Sequence, residues 1–213
     1  DFLVFMLPTL LVLLLVLAMP LLYSLTVSFF DTNLKVKGLG TFVGLDNYIN
    51  VLHDKYFIGS AFTTLLFTVG VVFFEFVFGL IIALLLNNEI RGKNIFFSII
   101  IVPMMITPIA VGLTWRLLLH STLGIVNYTL SLFGIAGKAW LADSTLALGT
   151  VMFIDIWQQI PYMVLIILAG LVSLPTEPYE AAAIDGASRL QTFFRFTIPM
   201  MMPTFAVVIL LRS

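Results

Sequence analysis

The chain has no cysteine and very few charged residues. Of its 213 residues, 10% are Asp, Glu, Lys or Arg, whereas soluble domains carry about 25%. Without cysteine there is no disulfide framework and no thiolate chemistry. The net charge of -1 offers no basic face to a nucleic acid. The histidines, His53 and His120, have no second ligand at metal-binding spacing, so we expect no metal site.

The sequence also contains no phosphate-binding loop of the pattern GxxxxGK[ST]. No arrangement of Ser, His and Asp indicates a nucleophilic triad. We therefore expect a chain that is not an enzyme, with no catalytic residue and no cofactor of its own. Any ATP-driven work would need ATP and magnesium bound by another polypeptide.

Long hydrophobic runs fill most of the chain. Hydrophobic residues make up 61% of it, against roughly 45–50% in average soluble domains. About 20 apolar residues cross the hydrocarbon core of a bilayer. The pattern predicts an all-α transmembrane protein with one membrane domain, residues 1–213, and spans at 2–30, 57–86, 95–119, 145–174 and 203–213.

The fifth of these segments, 203–213, is too short to cross a membrane at a rise of about 1.5 Å per residue. We therefore expect a chain that is incomplete at its C-terminus, and its first residue, Asp1, also begins abruptly.

Polar residues inside the fourth span share one helical face. Asp155, Gln158, Gln159 and Tyr162 stand at i, i+3, i+4 and i+7, and Pro161 removes the usual donor for the carbonyl of Trp157. One interpretation is a cavity wall that suits hydroxyl-rich ligands. The other is a set of hydrogen bonds between helices. The sequence leaves both open, and the first makes these five residues the substrate pathway: Asp155, Trp157, Gln158, Gln159 and Tyr162.

Three further features lie inside predicted spans. Glu75 is a buried acid that could serve as a proton or ion site, but nothing in the sequence forces a second acid close to it, which favours a structural role. Arg116 is expected to reach the membrane interface as an anchor. Pro103 and Pro108 predict kinks in the third span.

The segment 175–202, here called the coupling loop, carries charge and small residues between two apolar runs. Thr176 is expected to cap a short helix, and Gly186 is free to adopt the positive φ that ends it. Ser188 and Gln191 fit a capping box that opens a second helix. Pro199 should end that helix, and Pro203 should start the next one.

The coupling loop resembles the EAA loop of binding-protein-dependent ABC importer permeases. The likeness rests on Glu180-Ala181-Ala182, Asp185-Gly186-Ala187, Phe193, Ile198-Pro199 and Pro203. It implies a helix that inserts into a groove on a cytoplasmic ATPase subunit. The resemblance makes the following residues the ATPase-coupling set: Glu180, Ala181, Ala182, Asp185, Gly186, Ala187, Arg189, Phe193, Ile198 and Pro199.

Other stretches resemble the carbohydrate-uptake branch of these permeases. They are residues 44–48 (GLDNY), 91–118, 124–130 (GIVNYTL) and 168–182. The resemblance implies the helical bundle of a type I ABC importer permease. Residues 43–57 are also amphipathic, which predicts a segment lying along the membrane interface.

Basic residues do not fix the orientation, because both sets of loops hold four: Arg91, Lys93, Arg189 and Arg195 against Lys35, Lys37, Lys55 and Lys138. The resemblance places the coupling loop and the N-terminus in the cytoplasm, residues 31–56 outside, and a tight cytoplasmic turn at 87–94. It implies a multi-pass protein of a bacterial or archaeal inner membrane.

By resemblance, the chain is a permease subunit that imports a sugar or similar polyhydroxylated solute by alternating access. The implied partners are two ATPase subunits, a second permease that is a paralogue in a heterodimer, an extracytoplasmic solute-binding protein and the lipid bilayer. Other substrates, such as glycerol phosphate or an amino acid, remain open. So do a proton-coupled carrier that uses Glu75 and Asp155, and a membrane scaffold that transports nothing.

Overall fold

The computed structural model describes residues 2–32, 38–88 and 91–213. It divides into two compact units, 1–64 and 65–213. The single membrane domain stays a prediction. Lys35, Lys37 and the centre of the predicted turn at 87–94 lie outside the described residues. Four helices are long and apolar enough to cross a membrane, and a bent helix pair makes up to five. The predicted all-α transmembrane class is confirmed.

The first unit begins with an apolar span that buries none of its described side chains. Helix α1 (Phe2–Leu13) passes through a π-helical segment (Leu14–Ala18) into α2 (Met19–Val27). Residues 5–27 of this run form a span candidate with no buried position in its most apolar window. A helix with apolar side chains all around it needs lipid or other protein against it.

After α2 the chain forms a two-stranded sheet followed by a short helix, and residues 44–48 (GLDNY) lead from the sheet into the helix. Strand β1 (Phe30–Asp31) pairs with β2 (Thr41–Phe42), and Gly44 turns the chain with a φ of 58° into α3 (Asp46–His53). The Asn47 amide then donates to the carbonyls of Ser28 (2.9 Å) and Phe30 (3.0 Å). The hydroxyls of Tyr48 and Ser28 are 2.6 Å apart. The Asn47 side chain therefore satisfies two carbonyls at the junction of α2 and β1.

Helix α4 (Lys55–Asn87) contains the boundary between the units, and its second half packs in the second unit with α8 (Ala147–Val172) and α11 (Ile198–Arg212). The apolar core of this unit comprises Ala83, Met163, Ile167, Leu171, Met201, Phe205 and Val208. Two glycines permit the close approach of helices. A Cβ at Gly79 would lie 2.6 Å from the Cβ of Met163, and one at Gly170 would lie 2.8 Å from Cγ2 of Thr204. Small residues at helix contacts are typical of membrane bundles.

The predicted third span, 95–119, is not one kinked helix. It consists of α5 (Lys93–Met105) and α6 (Pro108–Leu118), which meet at an angle of 94°. Ile106 and Thr107 are extended between them, because a proline disfavours the helical conformation of the residue before it. Pro108 therefore causes the break, whereas Pro103 lies inside α5 without ending it.

Helix α7 (Ile125–Leu132) is fixed to the following loop by one buried side chain, Asn127. Its amide nitrogen donates to the carbonyls of Ser121 (2.9 Å) and Lys138 (2.8 Å). Its oxygen accepts from the Lys138 N–H (3.1 Å) and from Trp140 Nε1 (2.8 Å). All the hydrogen-bonding capacity of the side chain is used to fold residues 121–140.

The last span is longer than the sequence indicated. Helix α10 (Arg189–Thr192) continues through a π-helical segment (Phe193–Thr197) into α11, so residues 189–212 form one candidate span of 24 residues. Neither Pro199 nor Pro203 breaks it, which corrects the predicted start at 203. A proline ring crowds the carbonyl four residues earlier, and a π-turn lets that carbonyl tilt aside. The π-helical segment, Phe193–Thr197, contains Arg195, which stands four residues before Pro199.

Candidate functional site

The coupling loop folds as two short helices joined by a glycine. Helix α9 (Glu177–Ile184) ends before Gly186, whose φ of 73° confirms the predicted helix stop. The capping box of α10 is also confirmed. The N–H of Gln191 donates to Oγ of Ser188 (3.3 Å), and the N–H of Ser188 donates to Oε1 of Gln191 (2.8 Å). Thr176 precedes α9 without a capping hydrogen bond from its side chain, so that cap was predicted wrongly.

Most of the predicted coupling residues are exposed. The exposed ones are Glu180, Ala181, Asp185, Gly186, Arg189 and Pro199, the half-buried ones are Ala187, Phe193 and Ile198, and Ala182 is buried. Within the part of the chain that the structure describes, none of the charged ones forms an ion pair. The loop therefore presents uncommitted charges beside an alanine surface on which another backbone could lie closely. The coupling role of these residues stays a prediction.

One hydrogen bond joins the two halves of the loop. The hydroxyls of Tyr179 in α9 and Thr197 in the π-helical segment are 3.0 Å apart, and Thr197 is buried. Both residues line a cavity of about 430 Å³ that reaches Asn87 at the end of α4 and Leu171 near the end of α8. The sequence analysis did not single out either hydroxyl, although Tyr179 stands directly before Glu180.

The polar face of α8 separates into engaged and unengaged side chains. Gln158 is buried, and its amide donates to the carbonyl of Ile106 at the break between α5 and α6 (3.2 Å). Gln159 and Tyr162 are half-buried, and the ring of Tyr162 packs against the apolar core, but among the described residues no hydrogen bond involves either side chain. They can therefore offer an amide and a phenol to a ligand, whereas the Gln158 amide already serves the fold.

The fifth pathway residue, Trp157, belongs to an aromatic cluster. Trp115 of α6 makes edge-to-face contacts with Phe153 (ring centroids 5.7 Å apart) and Trp157 (5.5 Å) of α8. Phe153 and Trp157 also line an apolar groove of about 620 Å³, together with Phe74 and Phe78 of α4. The substrate role of the five predicted pathway residues remains a prediction.

Three charged side chains from three helices meet inside the second unit. Arg212 donates from Nε to Glu75 Oε2 (2.7 Å) and from Nη2 to Glu75 Oε1 (2.9 Å). Nη2 also donates to Oδ2 of Asp155. We call these three residues the Arg212 cluster. It brings together the two acids, Glu75 and Asp155, that the sequence left apart.

Sequence reasoning missed Arg212 because the segment that carries it was predicted to be too short to span. A guanidinium at the far end of an apolar run, with two intramembrane acids elsewhere in the chain, is the signal that could have indicated the pairing. Glu75 is 0% exposed and fully engaged with Arg212, which supports the structural role preferred for it.

No three potential ligands among His, Cys, Asp and Glu lie together in the described ranges 2–32, 38–88 and 91–213. The charges of the Arg212 cluster instead neutralise one another in part, because two carboxylates meet one guanidinium. Fork-shaped pairing between arginine and a carboxylate is the strongest geometry available to such groups.

Comparison with known proteins gives a consistent result. Residues 75–213 match the family described as "Binding-protein-dependent transport system inner membrane component". The chain is 40% identical over 200 residues to a probable ABC transporter permease protein, y4oQ, of Sinorhizobium fredii, covering 93% of this chain and 64% of the relative. It is 36% identical to the trehalose/maltose transport system permease protein MalF of Thermococcus litoralis, covering 81% of this chain and 58% of the relative.

A solved structure shares the fold. It is a bacterial alginate ABC transporter in complex with an alginate pentasaccharide-bound periplasmic protein. One of its chains aligns with a TM-score of 0.82 at 25% identity, over 98% of this chain and 69% of that one. The present chain spans less than two thirds of the length of the two curated relatives.

Proposed function

The chain belongs to the family of binding-protein-dependent transport system inner membrane components, and we propose that it is a permease subunit of an ATP-driven importer for a sugar or similar polyhydroxylated solute. In this role it binds no ATP itself. A partner ATPase supplies ATP and magnesium chemistry, and this chain converts the movement of that partner into a change of access to the solute.

The observation that carries the proposal is the form of the coupling loop. Helix α9 exposes Glu180 and Ala181, Gly186 turns the chain, and α10 continues into the span 189–212 without interruption. An exposed helix whose charges have no ion partner within the described residues fits a groove on another protein. Because the loop is continuous with a span, movement of that groove would act directly on the membrane part of the chain.

The solute would meet the polar face of α8. Gln159 offers a donor and an acceptor, and the phenol of Tyr162 offers one group that can be either. Such groups match hydroxyls, which also donate and accept. The similarity to sugar permeases supports the same solute class: one relative carries trehalose and maltose in its name, and the structural neighbour is an alginate transporter.

The remaining assignments follow from the same family. A solute-binding protein delivers the ligand from outside, a second permease completes the cavity, and two ATPases bind from the cytoplasm. The coupling loop and the N-terminus are then cytoplasmic, and α3, β1 and β2 face outward. The chain lies in an inner membrane of a bacterium or archaeon.

A second candidate, a proton-coupled carrier, is favoured by one observation. Its two coupling acids, Glu75 and Asp155, are both bonded to Arg212, so one carboxyl group could take up a proton while the other stays paired with the guanidinium. This candidate needs no ATPase and gives no reason for the exposed helix α9 or the similarity to ABC permeases.

The test is to purify the full-length tagged protein from its native host in mild detergent and to identify bound proteins by mass spectrometry. We expect an ATPase, a second permease and a solute-binding protein. Ala181→Arg on α9 should remove the ATPase from the complex because the new side chain would fill the close contact. Ala136→Arg, at an exposed position in the outer loop, is the matched control and should retain it. A chain that purifies alone, even after gentle crosslinking, would contradict the proposal.

A further inference from the structure

The span 189–212 is attached to different parts of the second unit at two places. In its π-helical segment, Thr197 bonds to Tyr179 of the coupling loop. Fifteen residues further along, Arg212 bonds to Glu75 of α4 and Asp155 of α8. These attachments are separated by most of the helix, which is about 36 Å long at the usual rise for the 24 residues of the span.

Between these attachments the contacts of α11 are apolar. Met201, Phe205 and Val208 are buried against α8 and α4 in the core of this unit. Apolar contact is non-directional, and in lipid it provides no hydrophobic force that holds one helix against another. Thr204 and Met201 of α11 also lie against Gly170 of α8, but van der Waals contact of this kind gives less directional resistance to sliding and rotation than a forked ion pair does.

The Arg212 cluster adds directional hydrogen bonds to the otherwise apolar interface of α11. Nε and Nη2 engage both oxygens of Glu75, and this fork fixes the plane of the guanidinium as well as its position. The plane in turn fixes where Nη2 meets Asp155. Glu75 is completely buried and has no access to a solute, so it acts only through Arg212.

We propose that Arg212 is a positioning residue. Through its bonds to Glu75 and Asp155 it fixes the register of α11 against α4 and α8. Movement of the coupling loop is then transmitted to the polar face of α8, because α11 does not slide. The inference rests on the proposed function, because it describes how an ATP-driven permease of this form transmits its movement. It assigns coupling to a residue that touches neither the ATPase nor the solute.

The absence of cysteine in this chain allows a direct test that needs no knowledge of the solute. Gln159→Cys introduces a thiol on the polar face of α8, where residues 1–213 otherwise contain none. In the complete reconstituted transporter, its rate of reaction with N-ethylmaleimide is measured with ADP and again with ATP, Mg²⁺ and vanadate. ATP hydrolysis and the amount of assembled complex are measured in the same samples.

We expect the labelling rate of the thiol in the Gln159→Cys variant to change about fivefold or more between the two nucleotide states. Adding Arg212→Met should reduce that change to less than about twofold while the assembled complexes still hydrolyse ATP. Arg212→Lys should give an intermediate response, since ammonium cannot form the fork. Arg116→Met, the same substitution at an exposed arginine of α6, should leave the response intact.

The triple variant Glu75→Met, Asp155→Asn and Arg212→Met removes all three charges of the cluster at once, so it tests register without leaving an unpaired charge inside the protein. Replacing a buried ion pair by apolar residues of similar size often preserves stability, so this variant should assemble and still lack the response. A normal response in it would overturn the inference, and so would its failure to assemble, because the cluster would then serve folding alone. If the thiol of Gln159→Cys in the otherwise unchanged chain does not respond to ATP, the proposed function itself fails and the inference falls with it.

Discussion

The charges of the coupling loop and those of the Arg212 cluster are arranged in opposite ways. Glu180, Asp185 and Arg189 are exposed, and none forms an ion pair within the residues that the structure describes. Inside the membrane part, Glu75, Asp155 and Arg212 bond to one another. Water solvates a free charge, whereas lipid does not, so the intramembrane charges must find partners within the protein.

Exposed charges in the coupling loop are available for binding a partner, whereas paired charges in the Arg212 cluster contribute to the stability of the chain. A charge that the fold does not use remains available to a partner protein, and its loss should affect assembly of the transporter. A charge that the fold uses is already engaged, and its loss should affect the chain itself. Substitutions in the two regions should therefore give different readouts.

The largest effect is expected from Glu75→Leu. It removes the fork between Glu75 and the guanidinium of Arg212, which keeps only Asp155 as a partner, and this costs about 3 kcal/mol of folding free energy. Unfolding of the purified protein in mixed detergent measures the loss. Asp185→Leu, a comparable substitution at an exposed acid of the coupling loop, is the control and should change stability by less than about 0.5 kcal/mol. Equal losses in the two variants would contradict the comparison.

Gly186→Pro should follow. Gly186 has a φ of 73° and donates its N–H to Ala183 (3.2 Å), whereas proline requires a φ near −65° and has no N–H, so the local cost is roughly 3 kcal/mol. ATP hydrolysis should be uncoupled from transport, or the ATPase should no longer assemble. Gly186→Asn is the control, because asparagine tolerates positive φ. Normal uptake by the proline variant would refute the coupling role of the loop.

The adjacent glutamines of α8 sharpen the same contrast. Gln158→Leu should lower stability by about 1–3 kcal/mol, because the carbonyl of Ile106 loses its donor. Gln159→Leu should leave unfolding unchanged and weaken transport. Both variants are assayed for unfolding and for uptake. If Gln159→Leu proves the more destabilising of the two, the division of this face is wrong.

The smallest effect is expected from Ser188→Ala. It removes the oxygen that accepts from the N–H of Gln191, which typically costs about 1 kcal/mol at a helix N-terminus. Faster amide hydrogen exchange across α10, with no change in α8, is the expected result. Unchanged exchange in α10 would mean that the capping box contributes nothing to the loop.

Much of this arrangement could be predicted from the sequence. The lengths of the apolar runs predicted α4 and α8. The residue types predicted the helix stop at Gly186 and the capping box of Ser188 and Gln191. These features are encoded within a few residues of one another. The same local reasoning failed at Pro199, because the π-helical segment before it relieves the crowding that normally ends a helix. It failed at Pro203 because that proline lies inside α11 and does not start it.

The pairing across helices could not be predicted. Arg212 lies 137 residues from Glu75 in the chain, and only the packing of α4 against α8 and α11 brings them together. Similarly, Gln158 and Gln159 are identical and adjacent, yet only the break after Ile106 decides which amide is used within the fold. Such distinctions depend on tertiary contacts, which periodicity does not contain.

Solute uptake into proteoliposomes that contain the complete transporter and its binding protein tests the proposed function most directly. We expect uptake to require ATP on the side of the membrane that carries the coupling loop and the binding protein on the opposite side, and to continue after the pH gradient is collapsed. Uptake driven by a pH gradient without ATP would contradict the proposed function and would assign Glu75 and Asp155 to proton coupling.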